Sequence, residues 1–397
     1  MRIRLVPLVF ASLVGGAFGA AADDVVRVGV INDLSGPYRD LADPGSVVAA
    51  ELAAEDFGGT VAGRTIEILS ADHQNKPDVG SAIARRWYEE DGVDAIADVP
   101  TSSVALAIQE ISRAQKKIFL ISGGSVSAFY GKACSPYSIH TADDTHAYTV
   151  ASARAVVESG GKTWFMLVSD YAAGHAIEKL ATAAVTEAGG EVVGAVRHPQ
   201  NTSDFSSFVL QAQGSGAQVV GLGNFGADTV NAIKQANEFG LTKAGQSLVS
   251  FGMFISEVHA LGLETAHGLL LAESFYWDLN DRTREFAARF QARTGRKPTR
   301  QQATTYATIV HYLKAIQAAG TDEPDAVMSQ MRSAPFDFFG ETGEIRKDGR
   351  LVHDSYLWRV KAPEESKGPW DYYSLVRKIP AKDVFLPLAG SECPLAQ

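Results

Sequence analysis

The stretch that most constrains this chain runs from Gly92 to Ser127, GVDAIADVPTSSVALAIQEISRAQKKIFLISGGSVS. Residues 93–99 have the apolar, β-branched character of a buried strand, Thr101, Ser102 and Ser103 offer helix-capping hydroxyls, and Val104, Ala105, Ile108 and Ile111 recur at helical spacing. A second short strand follows at 118–121. Each strand therefore ends in small hydroxylated or glycine residues, Pro100-Thr101-Ser102-Ser103 and Ser122-Gly123-Gly124-Ser125, at the edge where parallel sheets bind ligands. These two loops form the candidate half of a binding site.

Strands and helices alternate around this unit. Residues 25–31 read as a strand followed by the turn Asn32-Asp33-Leu34-Ser35-Gly36-Pro37-Tyr38, and a helix passes through Val47, Ala50, Ala53 and Ala54. A strand at 64–70 and a helix at 78–90 lead into the central stretch. After a polar extended segment at 138–145, a second set begins: helix 147–159, strand 163–168, helix 174–188, strand 191–196, helix 205–214, strand 217–222, helix 227–239 and strand 247–251. Such alternation implies parallel, right-handed βαβ units, so the expected fold class is α/β with two doubly wound parallel-sheet lobes. Residues 281–293 and 304–319 read as amphipathic helices with no strand between them. A polar hairpin at 339–349, a strand at 355–360 and an aromatic tail with Trp370, Tyr372 and Tyr373 complete the chain. No low-complexity linker divides the lobes, so short crossing strands are expected to join them.

The start of the chain points to export. Arg2 and Arg4 precede an apolar run at 5–18 that ends in Gly19-Ala20-Ala21-Ala22, the layout of a secretory signal removed near residue 22, which is too short to span a bilayer. Its loss would take two of 36 basic residues against 46 acidic ones, an acidic balance that argues against a nucleic-acid partner. The two cysteines, Cys134 and Cys393, are an even pair in an exported chain and are expected to form a disulfide. Neither has a second cysteine at ligand spacing, and the nine histidines are scattered, so no metal site is expected.

Rival motifs fail on context. Gly221-Leu222-Gly223-Asn224-Phe225-Gly226 matches a dinucleotide fingerprint, but it is not in the first βαβ unit and the next strand ends without an acid for ribose. Gly160-Gly161-Lys162-Thr163 lacks the first glycine of a P-loop, because position 156 is Val. Gly124-Ser125-Val126-Ser127 lacks the second glycine of a nucleophile elbow. No cofactor is expected.

Taken together, Val28-Gly29-Val30-Ile31-Asn32-Asp33-Leu34-Ser35-Gly36-Pro37, Thr101-Ser102-Ser103 with its helix, Ile121-Ser122-Gly123-Gly124 and Asp170-Tyr171-Ala172-Ala173-Gly174 give a specific order and spacing. Over residues 25–360 the chain resembles the periplasmic solute-binding proteins of the branched-chain amino acid and amide-binding family, the capture components of ABC importers. The resemblance implies a type I periplasmic binding fold, two lobes joined by three crossovers, with 25–140 plus 276–343 in the amino lobe and 141–275 plus 344–397 in the other. It also implies a periplasmic location, a small-molecule solute, a permease partner in the inner membrane, a monomer and no enzymatic activity. Thr101, Ser102, Gly124 and Ser125 match positions that hold a carboxylate, which agrees with helix amino termini as anion sites. Tyr171 or Ala173 and Phe225 match positions usually aromatic, and Ala173 leaves space for a larger ligand. Met253 stands near where amino-acid-binding relatives place an acid for the ammonium group; the next acid along the chain is Glu257, and Asp98, Asp170 and Glu273 are the acids that could substitute. A buried ammonium without a counter-charge is costly. With Tyr38 and Tyr276 as further loop aromatics, the expected ligand is an aromatic or hydrophobic carboxylate without an amino group. The alternatives are a branched-chain amino acid or amide in the same fold, and a secreted α/β hydrolase using Ser102 or Ser125.

Overall fold

The computed structural model describes residues 24–36, 38–39 and 44–397. The expected export signal at 1–22 lies outside them. Strands β1 (Val25–Asn32), β2 (Thr60–Val61), β3 (Arg64–Asp72), β4 (Ala95–Asp98), β5 (Ile118–Ile121) and β6 (Ser138–His140) form one sheet in the order β2-β3-β1-β4-β5-β6. The chain then crosses to β7 (Thr163–Ser169), β8 (Glu191–His198), β9 (Val219–Gly223), β10 (Ser247–Ser250) and β11 (Leu270–Glu273). It returns for a small antiparallel sheet of β12 (Phe336–Phe338), β13 (Glu341–Ile345) and β14 (Leu351–Val352), and crosses a third time to β15 (Ser355–Val360) and β16 (Tyr373–Ile379). The second large sheet has the order β16-β15-β11-β10-β9-β7-β8. Both large sheets are parallel except at one edge, where β2 and the β15–β16 pair run antiparallel.

Alternation along each strand explains the two-lobed architecture. Ala95 and Ala97 of β4 join Val26, Val28, Leu120, Tyr312 and Phe336 in one core cluster, whereas Ile96 joins Trp87, Val104, Ile108 and Phe119 on the opposite face. The second lobe repeats this, with Phe165 and Leu167 on one face of β7 and Trp164, Met166 and Val168 on the other. Helices cover both faces, so the strands read as continuous apolar runs. The glycines of the dinucleotide-like motif are packing residues here: Gly221 and Gly223 lie within β9, against Met166 and Phe251 and against Val168 and Ile177.

Several elements depart from the sequence expectation. The helix expected from 304 begins at Arg300, because Thr299 and Gln302 form a capping box, with the Thr299 Oγ1 accepting from Gln302 N and the Thr299 N–H donating to Gln302 Oε1 at 2.9 Å. Helix Pro324–Ser333 and strand β16 were not anticipated. The expected lobe boundary at 343/344 falls inside β13, and Ile345 and Leu351 beyond it pack into the amino-lobe core.

Candidate functional site

The amino-lobe half of the cleft begins with a strained strand end. Asp98 and Val99 have φ values of 73° and 64°, a region that a β-branched residue such as Val99 enters only under strain. Strain of this kind concentrates where a loop must be held in one shape for function. This twist ends β4 at Asp98, one residue before the expected end. The fully buried Asp98 carboxylate accepts from Asn32 Nδ2 at 2.8 Å and Gln301 Nε2 at 2.9 Å, and burial pushes its carboxyl up to about 6. Its carbonyl accepts from the Gly123 amide at 3.2 Å. A Cβ at 123 would stand 2.5 Å from Asp98 Oδ1 and 2.9 Å from the Pro100 backbone, so glycine is required for the loops after β4 and β5 to meet.

Helix Ser102–Gln115 starts at this junction without a cap of its own. Thr101 occupies the N-cap position, but its hydroxyl donates to Asn75 Oδ1 at 2.8 Å instead, and the first turn contains no acid. Among the described residues, the Ser102 and Ser103 amides have no hydrogen-bond partner. Uncommitted amides at the positive end of a helix are suited to an anion. Ser102 Oγ accepts from the Ser125 amide at 3.1 Å, which joins the two loops predicted from sequence. Gly124 lies beneath them, its carbonyl accepting from His140 Nε2 at 2.7 Å, and a Cβ there would meet the Phe129 ring at 2.8 Å.

Aromatic residues of the second lobe gather around Tyr148, which reaches the Ser125 loop. Tyr171 precedes helix Ala172–Glu187, which carries the half-buried Ala173, and burial together with neighbouring Tyr38, Tyr148 and Asp228 pushes its hydroxyl up to about 12. Tyr38, 39% exposed on the amino lobe, is close enough to Tyr171 to contribute to that shift. Tyr148 donates to Thr145 Oγ1 at 3.0 Å, and Thr145 Oγ1 donates to Ser125 O at 3.3 Å. Gly252, at φ 100°, lets Phe225 and Tyr148 approach: a Cβ would lie 2.9 Å from the Phe225 ring and 3.5 Å from that of Tyr148.

Two of the predicted site residues are placed elsewhere. Tyr276 packs against Trp358 and Tyr373, donates to Trp370 O at 3.2 Å and accepts from Tyr372 N at 3.1 Å, so both its ring and hydroxyl serve the second-lobe scaffold. The Met253 side chain, 2% exposed, lies in the second-lobe core, and only its carbonyl reaches outward, to Arg300 Nη1 at 2.9 Å. The nearby acids are occupied. Glu257 accepts from the Phe254 amide at 2.9 Å, and Glu273 accepts from Arg300 Nη1 at 2.6 Å while burial pushes its carboxyl up against the pull of that cation. Arg300 and Tyr148 were missed by sequence reasoning. The capping box at Thr299 is the signal that would have placed Arg300 at a helix start.

The first and third crossings are tied together by a buried polar centre. Arg350, fully buried, donates from Nη1 to the carbonyls of His140 at 3.2 Å and Ala142 at 2.5 Å and to His140 Nδ1 at 3.1 Å. Because Arg only donates, His140 Nδ1 accepts and Nε2 carries the proton given to Gly124 O. Burial, then Arg350, holds this imidazole down to about 3, so it stays neutral. Cys134 and Cys393 are joined in a disulfide with Cα atoms 5.7 Å apart. Among the described residues, no group of three His, Cys, Asp or Glu side chains could hold a metal, and no helix is long and apolar enough to cross a membrane.

Known proteins match this architecture throughout. The sequence model of the periplasmic binding protein family matches residues 25–369. Leu/Ile/Val-binding protein homolog 6 of Brucella melitensis is 32% identical over 273 residues, 68% of this chain and 68% of that protein. A periplasmic binding protein of Burkholderia mallei is 45% identical with a TM-score of 0.85, and a branched chain amino acid ABC transporter periplasmic ligand-binding protein of Burkholderia xenovorans is 40% identical with a TM-score of 0.90. Each comparison covers 94% of this chain and 100% of the other. The chain belongs to the periplasmic binding protein family, the extracytoplasmic solute-binding type that serves ABC importers.

Proposed function

We propose that this protein captures an aromatic or hydrophobic carboxylate without an amino group by closing two lobes on it and presenting it to a membrane permease. The lobes are residues 25–140 with 277–352, and 141–276 with 353–397. The observation that carries this reading is the uncapped start of helix Ser102–Gln115, whose Ser102 and Ser103 amides stand beside the Ser102–Ser125 contact. An anion there meets donors and a helix dipole, while Tyr38, Tyr148, Tyr171 and Phe225 supply aromatic faces for an apolar body. The occupied state of Glu257 and Glu273 supports the absence of an ammonium subsite. At the level of fold, a solute-binding protein of Rhodopseudomonas palustris, 22% identical with a TM-score of 0.80, holds 3,4-dihydroxybenzoic acid, so this architecture can accommodate such an acid.

One observation favours a second reading, an amino acid ligand. Asp228, 9% exposed and close enough to Tyr171 to perturb it, accepts from the Asn201 amide at 3.1 Å through Oδ2, but its Oδ1 has no partner among the described residues. Mass spectrometry of the molecule released on denaturing freshly purified protein separates the two readings. A carboxylic acid lacking an amine is expected. An α-amino acid, lost in Asp228→Asn, would establish the second reading instead.

A further inference from the structure

Arg300 opens the helix that lies under the amino-lobe strand ends, where Gln301 bonds Asp98, Thr305 meets Ser122 at 2.8 Å and Thr308 donates to Thr141 at 2.8 Å. Its own side chain leaves that lobe. The guanidinium, 6% exposed, lies 3.8 Å over the Phe254 ring and 5.7 Å from the Tyr148 ring, and Nη1 spends both its protons on Met253 O and Glu273 Oε1. Among the described residues, Nε and Nη2 make no hydrogen bond. Nε and Nη2 are not sealed in the interior, so their three N–H groups are open to water and to an arriving partner. Nε and Nη2 also form one edge of the fork, spaced to receive both oxygens of a carboxylate.

The surroundings identify what that edge would meet. Tyr148 ties Arg300 to the cleft through Thr145 and Ser125. The acids around the pair are already engaged: Glu257 with the Phe254 amide, and Asp143 with the Ser274 amide at 3.2 Å and the Ser274 hydroxyl at 2.6 Å. Arg300 is thus the charged group here with donors to spare.

We propose that Arg300 determines ligand specificity: its free edge shares the ligand carboxylate with the Ser102 and Ser103 amides, and its pairing with Glu273 denies that acid to a ligand ammonium. The proposal rests on the cleft being a carboxylate site. It differs from a purely structural role, in which the Arg300–Glu273 pair would only brace one lobe against the other.

Calorimetric titration with 3-phenylpropanoate and L-phenylalanine, which differ by the α-amino group, distinguishes the two roles. Glu273→Gln keeps a carbonyl acceptor for Nη1, and so keeps the brace, while removing the competing charge. It is expected to tighten 3-phenylpropanoate, whereas Arg300→Gln is expected to weaken it by about tenfold and to narrow its advantage over phenylalanine. Arg300→Lys, which keeps the charge without the fork, should fall between, and it serves as the readout if Arg300→Gln does not fold. Equal weakening of both ligands by both substitutions would overturn the proposal and leave the carboxylate reading intact. Failure of the wild-type protein to bind any of benzoate, phenylacetate or 3-phenylpropanoate would overturn both.

Discussion

At the scale of single residues, the site depends on groups held where they would not settle alone. Asp98 is the clearest, at positive φ, fully buried and bridging Asn32 to Gln301. Its folded pKa of about 6 stands above the usual carboxylate value. The folded state therefore holds a proton that the unfolded chain has lost between roughly pH 4 and 6, and stability declines as pH rises through that window, by up to about 3 kcal/mol from this group. Thermal melts of wild type and Asp98→Asn across pH 4 to 7 check this: the wild-type advantage should shrink as pH rises, and a constant offset would refute it. Gly252→Ala, at φ 100° and facing Phe225, should cost about 1–2 kcal/mol and weaken ligand binding, measured by denaturant unfolding and titration. None of this was legible in sequence. The run at 93–99 looks like an uninterrupted strand because φ is set by tertiary contacts, not by the apolar pattern.

At the scale of elements, the sequence was informative wherever periodicity and turn chemistry agreed. The Thr101-Ser102-Ser103 turn and the Ser122-Gly123-Gly124-Ser125 turn were recognisable as strand ends, and the Ser125 amide does donate to Ser102 Oγ. What the pattern could not convey was which hydroxyls were already spent. Thr101 reads as a cap and instead bonds Asn75 across the fold. Tyr276 reads as a loop aromatic and is consumed by the 370–373 backbone, a contact between positions nearly a hundred residues apart. Ser102→Ala should therefore weaken ligand at least several-fold, about 1 kcal/mol or more, while Thr101→Val should act indirectly and less, as measured by calorimetry. Equal losses from the two would assign the site to the loop as a whole.

At the scale of the whole molecule, three crossings join lobes that each supply part of the proposed site, so ligand should favour the closed arrangement and raise the melting temperature with concentration. Small-angle scattering should show compaction on saturation. The carboxyl-terminal segment adds a constraint, since Val384 and Phe385 pack in the second lobe while Cys393 is bonded to Cys134 beside the amino-lobe sheet. In the chain-entropy view, closing a loop of 259 residues contributes up to about 5 kcal/mol, so Cys134→Ser with Cys393→Ser should melt markedly lower, and an unchanged melt would show the bond to be idle. The central claim is that the cleft selects a carboxylate without an ammonium. Calorimetry on the wild-type protein with 3-phenylpropanoate against L-phenylalanine tests it most directly. The amino-free acid should bind at least about tenfold more tightly, about 1.4 kcal/mol; tighter binding of phenylalanine, or micromolar binding of leucine with no amino-free acid competing, would contradict it.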